Sequence, residues 1–167
     1  MTSTGTRATR LLGAATLLSA CGMSVGSPPS ACPVTTPPPV ALAPPPTAGT
    51  GPNASLAFRA GPSSFLYGND ALVVDLPNDG TIHPSDPARG LPGGVKFAWW
   101  RLAHGDLVIA TRRLDATTVP LAADVPGGYG DIGFQVSGLK FPTAGCWQLT
   151  GTVGGRTLTF VVNVVAP

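Results

Sequence analysis

Glutamate is absent from this sequence, histidine occurs twice, and charged residues make up 11% of the chain. So sparse a set of titratable side chains leaves little from which to build acid–base or metal chemistry. His83 falls in Thr81-Ile82-His83-Pro84-Ser85-Asp86-Pro87, a loop by composition, and His104 lies beside a predicted turn. Asp86 and Asp106 are their sequence neighbours, but no spacing resembles a metal site. Both are read as surface histidines, and neither a metal nor a cofactor is expected. No serine sits in a nucleophile elbow, Cys146 lacks an identifiable base partner, and Gly127-Gly128-Tyr129-Gly130 is not followed by a helical pattern that would cradle phosphate. The chain is therefore not expected to be an enzyme. A sustained helical period is also missing beyond the first twenty residues.

What is there begins with Arg7 and Arg10, no acidic residue, and the small and apolar stretch Leu11–Ala20. That is the layout of a signal peptide. As a helix the stretch would rise about 15 Å, half the thickness of a bilayer core, too short for a permanent span. It ends Leu18-Ser19-Ala20-Cys21, which resembles the lipobox of bacterial lipoproteins. The resemblance implies cleavage before Cys21, a diacylglyceryl thioether on its sulfur, and acylation (palmitate) of the new amino terminus. Two or three acyl chains anchor stably where one is marginal. The implied location is the extracytoplasmic face of a cell membrane. Cleavage also removes two of the ten Lys and Arg, leaving eight cations against eight Asp. With no basic field remaining, nucleic acid is not an expected partner.

Residues 21–55 follow as a Pro-, Thr-, Ser-, Gly- and Ala-rich spacer, uncharged, with Pro37-Pro38-Pro39 and Pro44-Pro45-Pro46. Such a segment buries too little apolar surface to offset its ordering entropy and is expected to be an extended polyproline II tether. Residues 56–167 are the globular part, enough for one core. Strand-like runs occur at Val95–Leu102, Leu107–Thr111, Ile132–Val136, Trp147–Val153 and Thr157–Val165. Leu158, Phe160, Val162 and Val164 share one face of the last run. Gly154-Gly155 marks a hairpin turn, and His104-Gly105-Asp106 has the spacing of another. About seven short strands with glycine-rich turns point to an all-β sandwich, with a partly closed barrel as the alternative.

The path Phe141-Pro142-Thr143-Ala144-Gly145-Cys146-Trp147-Gln148-Leu149 resembles the penultimate-strand entry of bacterial immunoglobulin-like domains, with Trp147 and Leu149 inward. A wider set recurs in order: Tyr67–Leu72, Phe97–Trp100, Arg112–Asp115, Tyr129–Phe134 and Phe141–Thr150, together with Cys32-Pro33-Val34-Thr35. In these the chain is similar to a group of uncharacterised bacterial secreted proteins and lipoproteins, which implies export but no mechanism.

With Cys21 lipidated, two thiols remain, Cys32 and Cys146, in an oxidising compartment. If Trp147 and Leu149 face the core, Cys146 faces outward, where the N-terminal segment can reach it. A Cys32–Cys146 disulfide is expected, against two free thiols or an intermolecular bridge. Arg112, Arg113 and Asp115 are read as a charged strand end or an internal salt bridge. Trp99 and Trp100, being adjacent in a strand, must face opposite ways. The outward one, with Tyr67 or Tyr129, is the candidate binding feature unless the Ala116–Gly130 loop covers it. The expectation is a non-enzymatic, membrane-anchored envelope lipoprotein carrying an immunoglobulin-like binding or structural module that contacts an envelope protein. The alternative is a cell-wall glycan binder stacking sugar on the outward Trp.

Overall fold

Runs of β-branched and aromatic residues, broken every few positions by Gly, Pro, Asn or Asp, form strands throughout the computed structural model. It describes residues 1–2, 31–39, 42, 61–84, 90–91 and 94–166. The strands are β1 (Ser64–Gly68), β2 (Leu72–Pro77), β3 (Thr81–Ile82), β4 (Gly90–Leu91), β5 (Gly94–Arg101), β6 (Val108–Arg113), β7 (Ala123–Asp124), β8 (Gly133–Leu139), β9 (Gly145–Val153) and β10 (Arg156–Val164). Three of these ten have two residues each; the other seven have five or more. One sheet runs β1-β2-β5-β8-β7 with β4 also on β5, and the other runs β3-β10-β9-β6. All pairings are antiparallel except β3 with β10. Residues 3–20 of the leader, Cys21 and Asp86 lie outside the described residues.

The core forms where the inner faces meet. Leu72, Val74, Phe97, Trp99 and Leu139 come from the larger sheet, and Trp147, Leu149, Phe160 and Val162 from the smaller. Phe160 bridges them, its ring centroid 5.9 Å from Phe97 and 5.7 Å from Trp99. Each of these large side chains contributes about 1.5–3 kcal/mol through its burial. Gly151 is required by the fit. A Cβ there would lie 2.7 Å from Trp99 Cζ3, so the indole occupies the space a side chain would need. Trp99 Nε1 donates to Ser137 Oγ at 2.9 Å, which satisfies its polar edge inside the core.

Two expectations need correction. The segments on either side of His104-Gly105-Asp106 do not form a hairpin: β5 pairs with β2 and β8, whereas β6 pairs with β9 in the other sheet. The connection is an arch between sheets, held from outside its own sequence. Arg101 donates to the Gly105 and Gly130 carbonyls, and Asp131 accepts from Gly105 N–H at 3.0 Å. Gly105 also abuts the β9–β10 turn, its missing Cβ only 3.0 Å from Gly154 N. By contrast, the Gly154-Gly155 hairpin forms as expected, with φ of 55° and 77° that glycine adopts without strain.

The second correction concerns residues 31–39, which do not behave as a contact-free tether. Thr35 N–H donates to Val161 O, and Thr35 Oγ1 accepts from Val161 N–H. Val34 packs where a Cβ on Gly80 would sit, 2.6 Å from that position. Composition missed this because backbone groups, one disulfide and the side chains of Val34 and Thr35 make the contacts, too few residues to leave an apolar pattern.

Candidate functional site

The strap and the disulfide come first, because they decide which surfaces remain open. Cys146 and Trp147 are adjacent in β9, so their side chains take opposite faces. Trp147 is in the core, and Cys146 is bonded to Cys32 on the other face, with Cα atoms 5.4 Å apart. The expected pairing is therefore present.

Alternation also fixes which peptide groups point to each edge of the smaller sheet. Asn163 N–H donates to Gly80 O and Val165 N–H to Ile82 O, so the odd-numbered residues of β10 face the outer edge. That edge is capped along its length: Val161 by Thr35, the Thr159 carbonyl by Tyr67 Oη at 3.4 Å, and the Thr157 carbonyl by Asn69 Nδ2 at 2.9 Å. Asn69 Oδ1 meanwhile accepts from the N–H groups of Ala71 and Leu72. Tyr67 thus bridges the two sheets.

Neither tryptophan of the adjacent pair is exposed. Trp99 is in the core at 0% exposure, and Trp100 on the outer face of the larger sheet is 1% exposed. Trp100 belongs to a second cluster with Val73, Ala98 and Phe134, flanked by the half-buried Tyr129. Trp100 meets the Phe134 ring edge-on at 5.7 Å, and Tyr129 meets it from the 116–130 connection at 5.9 Å. The four aromatic candidates are therefore not brought together as an open stacking platform.

At the Cys146 end, charged residues in the last positions of β6 and just beyond it surround the disulfide. Arg113 Nε donates to Asp115 Oδ1 at 2.6 Å, and Arg113 Nη1 to Thr143 Oγ1 at 2.7 Å. Asp115 Oδ2 accepts from Cys146 N–H at 3.1 Å. The Arg113 hydrogen bond, helped by that N–H and opposed by burial, holds the Asp115 carboxyl below its usual pKa. Arg112 has a neutral partner, Gln148 Oε1 at 2.8 Å. Thr111 to Thr118, with Pro120, line an open cleft of about 500 Å³. Its walls carry guanidinium, carboxylate and hydroxyl groups.

The opposite end carries a polar group that the sequence did not reveal. Arg101 is buried, which lowers its pKa, while Asp131 and Asp106 raise it in opposition. Asp131 is held below its ordinary pKa by the His104 hydrogen bond, then by Gly105 N–H. Both His104 and Asp131 are exposed. Among the described residues, no three of His, Cys or Asp are grouped to hold a metal ion.

No protein-family model matches the chain, and no curated protein matches it. One solved structure, described as a "Putative Lipoprotein from Bacillus anthracis", is similar at 15% identity with a TM-score of 0.38. That alignment covers 65% of this chain and 87% of the other.

Proposed function

We propose that the protein is a non-enzymatic envelope lipoprotein, anchored through lipid on Cys21, that presents an immunoglobulin-like sandwich as a binding or structural module. The observation that carries this is the use of its cysteines. Of three, Cys32 and Cys146 are bonded to each other, which leaves Cys21, at the end of the lipobox-like Leu18–Cys21, as the thiol available for acylation. A disulfide of this kind also suits an oxidising compartment outside the cytoplasm. Two sheets sharing one core, with arches from β5 to β6 and from β8 to β9, support the immunoglobulin-like reading. The glycan-binding alternative required an outward tryptophan, and no tryptophan among the described residues is exposed, so no observation favours it.

Growth with an alkyne-bearing fatty acid tests the anchor. The parent chain is expected to take up label and fractionate with membranes, and Cys21→Ser to lose both. Equal labelling of the two would overturn the reading.

A further inference from the structure

The smaller sheet treats its two edges differently. The β10 edge is closed by β3, Thr35, Tyr67 and Asn69. At the other edge stands β6, six residues long. Leu114 N–H donates to Cys146 O. With Arg112 opposite Gln148 and Ala110 opposite Thr150, that parity turns the even-numbered peptides of β6 toward β9. The N–H and C=O groups of Ile109, Thr111 and Arg113 point away from the sheet. None of these backbone groups has a hydrogen-bond partner among the described residues, although Thr111 itself is only 6% exposed and its hydroxyl is held by the Leu121 backbone. An edge without a strand partner is a template for another strand, and natural sheets commonly block such edges. The side chains around this one are also unusual. Val108 is 60% exposed, Leu114 37% and Val119 84%, and these are the large apolar residues that the described part of 61–166 leaves open to solvent.

We infer that β6 is a self-association edge, at which two copies of this chain pair antiparallel about a two-fold axis through Thr111 and join their smaller sheets into one. The choice of a second copy rests on self-complementarity. Rotation about Thr111 places each residue opposite the one whose number adds with its own to twice 111. Ile109 then meets Arg113 of the second copy, both presenting outward peptide groups in a hydrogen-bonded pair. On the solvent face, exposed Val108 falls opposite exposed Leu114. Arg112 falls opposite Ala110, so no like charges stand directly across from one another, the arrangement that would oppose pairing. The contact is isologous and closes after two copies, so it does not propagate into a filament. The cleft beside Thr111–Leu114 lies at the end of the strand where the second copy's Val108 would enter. Each copy's 500 Å³ cleft is thereby part of the interface.

The experiment uses the full chain in its own membranes. Ala110→Cys and Arg112→Cys are made separately with different epitope tags, then co-expressed and oxidised mildly. Both residues are exposed. In the proposed register position 110 of one copy lies about 4.5 Å, Cα to Cα, from 112 of the other, within disulfide reach. The 110–110 and 112–112 pairs are diagonal neighbours roughly 7–8 Å apart, at or beyond the limit. Mixed chains should give a reducible dimer carrying both tags, several-fold more abundant than either variant gives alone. Val108→Lys in both copies should reduce that dimer several-fold while leaving the melting temperature of the chain unchanged. No mixed dimer, equal dimers from the single variants, insensitivity to Val108→Lys, or a cross-link to some other protein would each overturn the proposal.

Discussion

Asp115 concentrates several roles in one side chain. It neutralises Arg113, fixes the chain leaving β6, and accepts the N–H of the disulfide-bonded Cys146. The arrangement depends on Gly145, whose φ is 143° and whose missing Cβ would sit 2.6 Å from an Arg113 guanidinium nitrogen. Because the Asp115 pKa is depressed in the folded chain, its stabilising contribution is complete above the ordinary carboxylate value near 3.9. It is lost as pH falls through the lower folded value. Asp115→Asn should therefore be less stable than the parent at neutral pH, and the gap should narrow as the buffer is taken below about pH 4. The difference should stay under about 1 kcal/mol, because the pair is partly exposed. Melting temperatures from pH 7 to pH 2 measure it; a gap that widened in acid would contradict this role.

At the scale of elements, the two sheets are tied by short turns that reach across. Asn69, between β1 and β2, is the densest of these ties, satisfying two N–H groups of its own turn and the Thr157 carbonyl of β10. Asn69→Ala should cost on the order of 2 kcal/mol, since it leaves partly buried donors without an acceptor. Asn69→Asp should keep the two accepted bonds and lose the donated one, giving a smaller loss in chemical denaturation; equal losses would mean that the two accepted bonds contribute nothing. The elements themselves were legible in the sequence to the extent that strand alternation carries information. β9 and β10 have the expected faces, and Trp147, Leu149, Phe160 and Val162 are inward, because period-two burial writes itself into consecutive residues. The arch after β5 was not legible. A six-residue link that contains Gly105 and Asp106 suits a hairpin and an arch equally. The choice is made by Arg101, Asp131 and Gly154, which are distant in sequence from one another. The two buried faces of the larger sheet were hidden for the same reason: Trp100 is covered by contacts such as Phe134 and Tyr129 that no local pattern announces. Edge protection by Thr35, Tyr67 and Asn69 likewise depends on pairing register, which only the assembled sheet defines.

For the whole molecule, the disulfide sets the length of the tether under the proposed anchoring at Cys21. With Cys32 fixed to Cys146, only eleven residue steps (32 minus 21) separate the lipid from the folded unit, a reach of at most about 40 Å fully extended. The strap then holds the Cys146 end of the two-sheet domain toward the membrane. His104, Asp131 and the Gly154-Gly155 turn lie at the opposite end, because β9 runs its full length between Cys146 and that turn. Opening the bond would free the strap and lengthen the tether through residue 60, about 120 Å in polyproline II form. The bond spans 114 positions, for which the chain-entropy model gives about 4–5 kcal/mol as an upper guide. Cys32→Ser should therefore lower stability by roughly 2–5 kcal/mol and raise the domain away from the membrane. A fluorophore installed as a non-natural residue at the exposed Ala144, paired with an acceptor dye in the lipid, reads both effects in one sample. Energy transfer should be high in the parent, fall in Cys32→Ser, and fall in the parent on reduction. Unchanged transfer with a lowered melting temperature would show that Thr35 and Val34 hold the strap without the bond, and unchanged values of both would remove the disulfide from any part in display.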